Sequence, residues 1–227
     1  MPSPKPFLLT GFEPFGSSTV NPRRAGVNPS EQAVHALNGQ TIAGLKIVGI
    51  ILPVDRQSGP VALLKALEEV HPAAVLCLGE AARRPAISIE RVAVNLMDFR
   101  IPDNAGVIIT DQPITADGPA AYFSTLPVRA LLNALLAAEL PAELSLTAGS
   151  YLCNQIFYTL MHALATRNTK TPGGFIHLPA LPEQAANMDT PCPSMSLETD
   201  LKAIRLAIET ILSHLVNNGY AQPEDAG

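Results

Sequence analysis

The chain has 227 residues, of which 47% are hydrophobic and 15% charged, and its formal net charge is −5. This length and apolar content suit one globular domain with a substantial core. The acidic balance and the lack of a basic run exclude nucleic acid as the main partner. No apolar run approaches the ~20 residues of a membrane span. Three scattered cysteines and a proline-rich start predict a cytoplasmic protein without a disulfide framework or secretory signal.

Strand and helix patterns alternate along the chain. Strands are predicted at 7–10, 47–52, 73–79, 87–95, 144–148 and 173–178, and helices at 61–70, 127–140, 153–167 and 197–215. This order, with its apolar central runs, predicts a three-layer α/β/α sandwich around a largely parallel, twisted sheet. We expect one domain over residues 1–227, with mobile tails at 1–6 and 217–227.

The first strand leads into a loop, Gly11–Phe12–Glu13–Pro14–Phe15–Gly16. Its glycine spacing differs from that of phosphate-cradling loops. Phe12 and Phe15 are two aromatic residues in a loop of Gly and Pro, so we expect them to be covered. Either they cap the core of the domain, or they enclose an apolar ligand.

Two Asn-Pro pairs follow, at residues 21–22 and 28–29. The second pair leads into Ser30, which we predict to be the N-cap of the first helix, with Glu31 in the first turn. Residues 22–27 form a basic insert, which we expect to be a surface excursion whose role the sequence does not reveal.

Two carboxylates are candidates for a site. Glu80 directly follows the apolar strand pattern and is therefore expected at the carboxyl edge of the sheet. Glu90 lies in the alternating stretch 87–95, where it shares a face with Ser88 and two valines. A carboxylate with such neighbours is usually a surface charge or part of a salt bridge.

Cys153 is the candidate nucleophile. The strand pattern at 144–148 ends at Gly149–Ser150, and the helical pattern begins at Cys153. A thiol in the first turn of a helix has nearby backbone N–H groups, which favour a lowered thiol pKa and can bind an oxyanion. The alternative is a buried cysteine at the end of a strand. We expect Cys77, inside an apolar run, to be a core residue and Cys192, in a proline-rich loop, to be uninvolved.

His177 is the candidate base. It lies in a short apolar strand, in which it shares a face with Phe175 while Ile176 and Leu178 point to the other face. The helix from Cys153 followed by this strand predicts a unit with two parallel strands. Because parallel strands end at the same edge, Cys153 and His177 are expected to meet there.

Four segments resemble one family of enzymes. The motif Leu-x-Leu-x-Ala-Gly-x-Tyr-Leu-Cys-Asn at 144–154 is similar to the cysteine-site motif of the pyroglutamyl peptidases I, also called pyrrolidone-carboxylate peptidases. Residues 175–179 resemble the histidine segment of that family. Residues 11–16 resemble its opening motif, G-F-[DE]-P-F-G. Residues 79–95 reproduce its second motif, G-x-x-A-x-x-x-x-I-S-x-E-R-V-A-x-N.

The resemblance implies a cysteine peptidase that removes N-terminal pyroglutamyl residues from peptides through an acyl-enzyme. It also implies an α/β/α fold, a cytosolic homotetramer, and no metal or other cofactor. The implied roles are Cys153 as nucleophile, His177 as base, Glu90 as catalytic carboxylate, and Phe12, Phe15, Asn28 and Glu80 in substrate binding. The loop at 98–106 is expected near the substrate or at a subunit contact.

Two other classes of function stay open at this point. One is a catalytically weak binding protein that retains the pocket. The other is a cysteine hydrolase or acyltransferase that acts on a different blocked or lactam-like substrate.

Overall fold

The structure, a computed structural model, describes residues 4–15 and 26–217. Its elements in chain order are β1 (Phe7–Phe12), α1 (Pro29–Leu37), β2 (Thr41–Ile42), β3 (Leu45–Leu52), α2 (Ser58–Val70), β4 (Ala74–Glu80), β5 (Ile87–Glu90), β6 (Val92–Val94), β7 (Ala121–Phe123), α3 (Val128–Ala137), β8 (Ala142–Ser145), α4 (Leu152–Thr166), β9 (Gly173–Leu178), α5 (Pro182–Ala185) and α6 (Leu197–Asn217). Within these ranges no helix is long and apolar enough to cross a membrane.

A seven-stranded sheet forms the centre of the molecule, in the order β2-β3-β1-β4-β9-β5-β8. Strands β3, β1, β4 and β9 run parallel to one another. Strand β5 runs antiparallel to β9, and β8 runs parallel to β5. The prediction of a largely parallel sheet is confirmed. The antiparallel pairings lie towards its two edges, where the short strand β2 runs antiparallel to β3 and β5 runs antiparallel to β9.

Helices cover both faces of this sheet, which confirms the predicted α/β/α sandwich. Helices α1, α3 and α6 pack on one face, together with Ile176 and Leu178 of β9. Helices α2 and α4 pack on the other face, together with Phe175. The alternation along β9 is therefore as predicted, and it assigns His177 to the face that α2 and α4 cover.

Two predicted strands differ in extent from those observed. The stretch 87–95 breaks after Glu90 into β5 and β6, because the Arg91 N–H donates to the Ser145 carbonyl while the Arg91 carbonyl accepts from Ser124. From Val92 onward the chain leaves the main sheet and pairs with β7. Strand β8 ends at Ser145, so residues 146–151 form an irregular segment before α4.

The predicted parallel arrangement around α4 is wrong. Strand β5 lies between β8 and β9, antiparallel to β9 and parallel to β8, so β8 and β9 run in opposite directions. The end of β8 therefore does not lie at the edge where β9 ends. The segment 146–151 has to lead the chain from β8 to the start of α4.

The start of α1 also differs from the prediction. Asn28, and not Ser30, is the N-cap, because Pro29 occupies the first helical position and the Asn28 side chain accepts a bond from the Ser30 N–H at 3.0 Å. The Ser30 hydroxyl instead accepts a bond from the Phe12 N–H at 3.0 Å, which ties the helix to the end of β1. Residues 22–25 of the predicted excursion, and 1–3 and 218–227 of the predicted tails, lie outside the described residues.

A carboxyl group without a partner lies in the helical layer of α6. Asp200 is in the first turn of this helix and is fully buried. Within the described part of the chain, neither of its oxygens has a hydrogen-bond partner. Burial raises the pKa of Asp200 from 3.8 to about 8.

We predict that this group makes folding stability fall as pH rises from about 4 to about 8. In that window the folded chain holds a proton that the unfolded chain has released, so the free energy of unfolding decreases by up to about 1.4 kcal/mol per pH unit. Asp200→Asn removes this contribution. Urea denaturation of both proteins at several pH values measures the two slopes, and equal slopes would contradict the prediction.

Candidate active site

A small cavity of about 60 Å³ lies beside the start of α4. Most of its exposed lining is apolar. The lining residues are Phe12, Phe15, Asn28, Val54, Glu80, Tyr151, Leu152 and Cys153. The structure therefore brings the candidate nucleophile together with all four residues for which substrate contact was predicted.

The two aromatic residues of the first loop serve the core and the cavity at once. Phe12 is only 3% exposed and packs among the residues under α2 and α4, with its ring centroid 6.5 Å from that of Phe175. Phe15 is partly buried against the same cluster. Each ring therefore packs on the core and also lines the cavity, and contact with a ligand stays a prediction.

Glu13 connects the walls of this cavity, which the sequence did not indicate. Its Oε1 accepts bonds from the Val54 N–H at 2.9 Å and the Asn104 side chain at 3.0 Å. Its backbone carbonyl accepts a bond from the Asn28 side chain at 3.1 Å. Asn104 belongs to the 98–106 loop, so this bond connects that loop to the residues next to the cavity lining. Its place near the substrate or at a subunit contact stays a prediction.

Cys153 lies in the first turn of α4, whose N-cap residue Tyr151 makes no side-chain capping bond. Its thiol approaches the end of β4 closely: a Cβ added to Gly79 would lie 3.0 Å from Cys153 Sγ and 2.8 Å from Phe175 Cζ. Gly79 is paired with His177 in the register of β4 and β9. Because neighbouring strands are about 4.8 Å apart, the thiol occupies the space beside His177 that a side chain on β4 would otherwise fill.

His177 is bonded to Glu90. The distance from His177 Nδ1 to Glu90 Oε1 is 2.7 Å, and the two side chains are 4% and 0% exposed. A carboxylate only accepts hydrogen bonds, so Nδ1–H donates and Nε2 is the lone-pair nitrogen that can take a proton. Glu90 is thus buried and paired, in contrast to the usual surface carboxylate.

Glu80 has a different environment. It lines the cavity, and its Oε2 accepts a bond from Gln184 Nε2 at 3.2 Å. The carboxylate that bonds to His177 is that of Glu90, although Glu80 is the one that directly follows a central strand.

Arg84 is a further member of this cluster, and sequence reasoning missed it. Its Nη1 lies 2.6 Å from Glu90 Oε1. A single arginine in the turn after β4 carries no recognisable signal. Glu90 is six positions away, but Ser145 and Thr147 are more than 60 positions away and only the fold brings them close.

The predicted lowering of the Cys153 pKa is wrong. Burial raises the pKa of this thiol to about 12, and the negative charges of Glu90 and Glu80 add to the rise. Arg84 and the cysteine's own N–H act in the opposite direction but do not offset burial. Burial also lowers the pKa of His177 below 6.5, against the opposing effect of Glu90. Both shifts favour the neutral forms, the thiol of Cys153 and the neutral imidazole of His177.

The other two cysteines have different surroundings from Cys153. Cys77 is fully buried within β4, which confirms its predicted place in the core. The Cys192 thiol bonds to the Ala82 carbonyl at 2.7 Å. Among the residues that the structure describes, no group of three or more His, Cys, Asp or Glu side chains could hold a metal ion.

An α/β sandwich that groups a thiol at a helix start with a buried Glu–His pair defines a cysteine-type hydrolytic enzyme. Comparison with known proteins gives the family. The profile of the pyroglutamyl peptidase family matches residues 5–214, and the chain belongs to this family.

Individual relatives agree with this assignment over nearly the whole chain. A pyrrolidone-carboxylate peptidase of Bacillus cereus is 44% identical over 205 residues, which cover 90% of this chain and 92% of the relative. A mutant pyrrolidone carboxyl peptidase from Pyrococcus furiosus has 42% identity and a TM-score of 0.86, covering 92% of this chain and 99% of that one. The pyrrolidone carboxyl peptidase from Thermococcus litoralis has 38% identity and a TM-score of 0.88, covering 94% and 96%.

We predict that Gly79→Ala displaces the thiol. The added methyl group would lie 2.8 Å from Phe175 Cζ and 3.0 Å from Cys153 Sγ, so the ring and the thiol must both move. We expect a loss of about 1–3 kcal/mol in stability and a fall in turnover of at least roughly tenfold, because the thiol loses its alignment. Urea denaturation and steady-state kinetics measure these effects, and wild-type values for both would contradict the close approach.

Proposed function

We propose that this protein removes the N-terminal pyroglutamyl residue from peptides, with Cys153, His177 and Glu90 as its catalytic triad. Membership of the pyroglutamyl peptidase family supports the reaction. The observation that carries the triad is the 2.7 Å bond from His177 to Glu90, beside the glycine over which the Cys153 thiol lies.

The reaction begins from a neutral thiol. Since the pKa of Cys153 is raised to about 12, little free thiolate exists at neutral pH. His177 Nε2 accepts the proton from Sγ as the sulfur attacks the carbonyl carbon that follows the lactam ring. Glu90 accepts the Nδ1–H bond, orients the ring and stabilises the imidazolium that forms.

The first turn of α4 suits the charge that develops next. Its N-cap residue offers no side-chain bond to the helix, which leaves backbone N–H groups for an anion. We assign the tetrahedral oxyanion to these groups. The imidazolium then protonates the leaving amine, which gives a thioester between Cys153 and the pyroglutamyl group. His177 next deprotonates a water molecule, whose attack releases pyroglutamate and restores the thiol.

The cavity suits the pyroglutamyl group in size and chemistry. This group is a small, flat, uncharged ring, and the cavity is small and mainly apolar. We place the ring between Phe12 and Phe15, with the lactam near Asn28 and the backbone at Glu80. A homotetramer and a cytoplasmic location stay predictions.

We predict that Cys153 is the essential thiol. Cys153→Ser should lower kcat/KM for a pyroglutamyl amide by at least roughly a thousandfold, since the alcohol lacks the nucleophilicity of sulfur in this site. Cys77→Ala and Cys192→Ala should retain activity, because these cysteines lie elsewhere in the fold.

The measurement is the fluorogenic hydrolysis of pyroglutamyl-aminomethylcoumarin, with and without a thiol alkylator. A panel of other N-blocked amides serves as the specificity control. A fully active Cys153→Ser protein would contradict the mechanism, and a wild-type preference for another blocked residue would contradict the substrate.

We also predict that the two carboxylates near the cavity differ in function. Glu90→Gln should lower kcat by on the order of 10²–10⁴-fold, because the amide neither stabilises the imidazolium nor enforces its tautomer. Glu80→Gln should change kcat by less than about tenfold, or ~1.4 kcal/mol. Steady-state kinetics decide between them, with circular dichroism to verify folding. If Glu80→Gln loses activity and Glu90→Gln keeps it, Glu80 and not Glu90 is the catalytic carboxylate.

A further inference from the structure

Arg84 extends from the turn between β4 and β5 and makes three hydrogen bonds with its side chain. Nη1 donates to Glu90 Oε1 at 2.6 Å and to Ser145 Oγ at 3.3 Å, and Nη2 donates to the Thr147 carbonyl at 2.8 Å. The side chain is 27% exposed, so most of it is covered by the protein. One guanidinium thus joins a buried carboxylate to the backbone of another segment.

The first of these contacts is on the oxygen that His177 uses. Glu90 Oε1 accepts from Arg84 and from His177 Nδ1, whereas Oε2 has no hydrogen-bond partner within the described ranges. The orientation of the carboxylate therefore depends on these two donors. If Arg84 were removed, a fully buried Glu90 would lose its countercharge and one of the two bonds that hold it.

The remaining contacts are with Ser145 at the end of β8 and with Thr147 in the segment that leads to Cys153. Thr147 lies in the stretch 146–151, between β8 and α4. This stretch belongs to no strand, so hydrogen bonds of the sheet do not fix its path from β8 to α4. Bonds from its own side chains contribute, such as Ser150 Oγ to the Asp98 carbonyl at 2.7 Å. Arg84 adds a bond that ties the same stretch to the carboxylate that bonds to His177.

We propose that Arg84 is a positioning residue that keeps the Glu90–His177 pair aligned with the segment that leads to Cys153. This inference rests on the proposed function, since it assumes that these three residues are the triad. Arginine suits the task because its planar fork can bond to a carboxylate and a carbonyl at the same time. A lysine at this position would supply the charge but only one point of attachment.

The charge of Arg84 also has a consequence of its own. The charged groups that act on His177 are Glu90, which raises its pKa, and Arg84, which lowers it together with burial. Those that act on Cys153 are Glu90, Glu80 and Arg84. Removing the cation should therefore raise the pKa of His177. Since His177 must be neutral to accept the thiol proton, the acidic limb of kcat/KM should move to higher pH.

The experiment compares Arg84→Met, Arg84→Lys and Arg83→Met. Arg83 is the exposed neighbour of Arg84 and carries the same charge, so Arg83→Met is the matched control. Each protein is assayed with pyroglutamyl-aminomethylcoumarin across pH, after circular dichroism has verified its fold. The ring of His177 is also titrated by NMR, with the signal assigned through a His177→Gln variant.

Arg84→Met should lower kcat by on the order of 10–100-fold through misalignment, with KM changed less than about threefold because Arg84 does not line the cavity. Its acidic limb and its His177 titration should both move to higher pH. Arg84→Lys should leave the acidic limb of the pH profile near that of the wild type, because the charge is kept. Its kcat should still be lower than that of the wild type, because lysine offers only one point of attachment. Arg83→Met should match the wild type in every measurement.

Two outcomes would overturn the inference. One is an Arg84→Met protein with the kcat and pH profile of Arg83→Met, and the other is an unchanged His177 titration in that variant. If Arg84→Met fails to fold, a fully active Arg84→Lys overturns it instead. A wild-type protein without activity on the amide refutes the proposed function, and the NMR titration still tests the effect of Arg84 on His177.

Discussion

The buried carboxylate of Glu90 is the group on which the rest of the site depends. It has no exposure to solvent, so its charge must be compensated within the protein. The same oxygen accepts bonds from His177 and from Arg84. The reversed strand β5 makes this possible. It runs antiparallel beside β9 with Ser88 opposite His177, so Glu90 lies diagonally within reach of the imidazole on the same face.

The second requirement is that the Cys153 thiol comes close to the end of β4, which is possible because residue 79 is a glycine. Gly79 faces the site without a side chain, and the Cys153 sulfur and the Phe175 ring occupy the space. Burial raises the pKa of the Cys153 thiol and lowers the pKa of His177. In the proposed mechanism, His177 therefore takes the proton from sulfur when the thiol attacks.

Much of this could be read from the sequence because it depends on local patterns. The switch from an alternating to a helical period locates Cys153 at the start of α4, and the alternation along β9 assigns His177 and Phe175 to one face. Cys153 and His177 lie close together even though β8 and β9 are not parallel, so the parallel pair of strands predicted around α4 is not what brings them together. The N-cap was misplaced by two residues because Pro29 suits the first helical position and makes Asn28 the cap.

The sequence by itself determined the class of fold, the family and the grouping of a cysteine, a histidine and a glutamate, because periodicity and motifs are encoded over short stretches. Only the tertiary structure decided the direction of β5 and β8, the burial of Glu90, the contacts of Arg84 and the raised pKa of Cys153. These depend on residues that are distant in the chain: Glu90 and His177 are 87 positions apart, and Arg84 and Thr147 are 63 apart. Burial and pairing at such separations follow from the packing of the whole sheet, which no local pattern specifies.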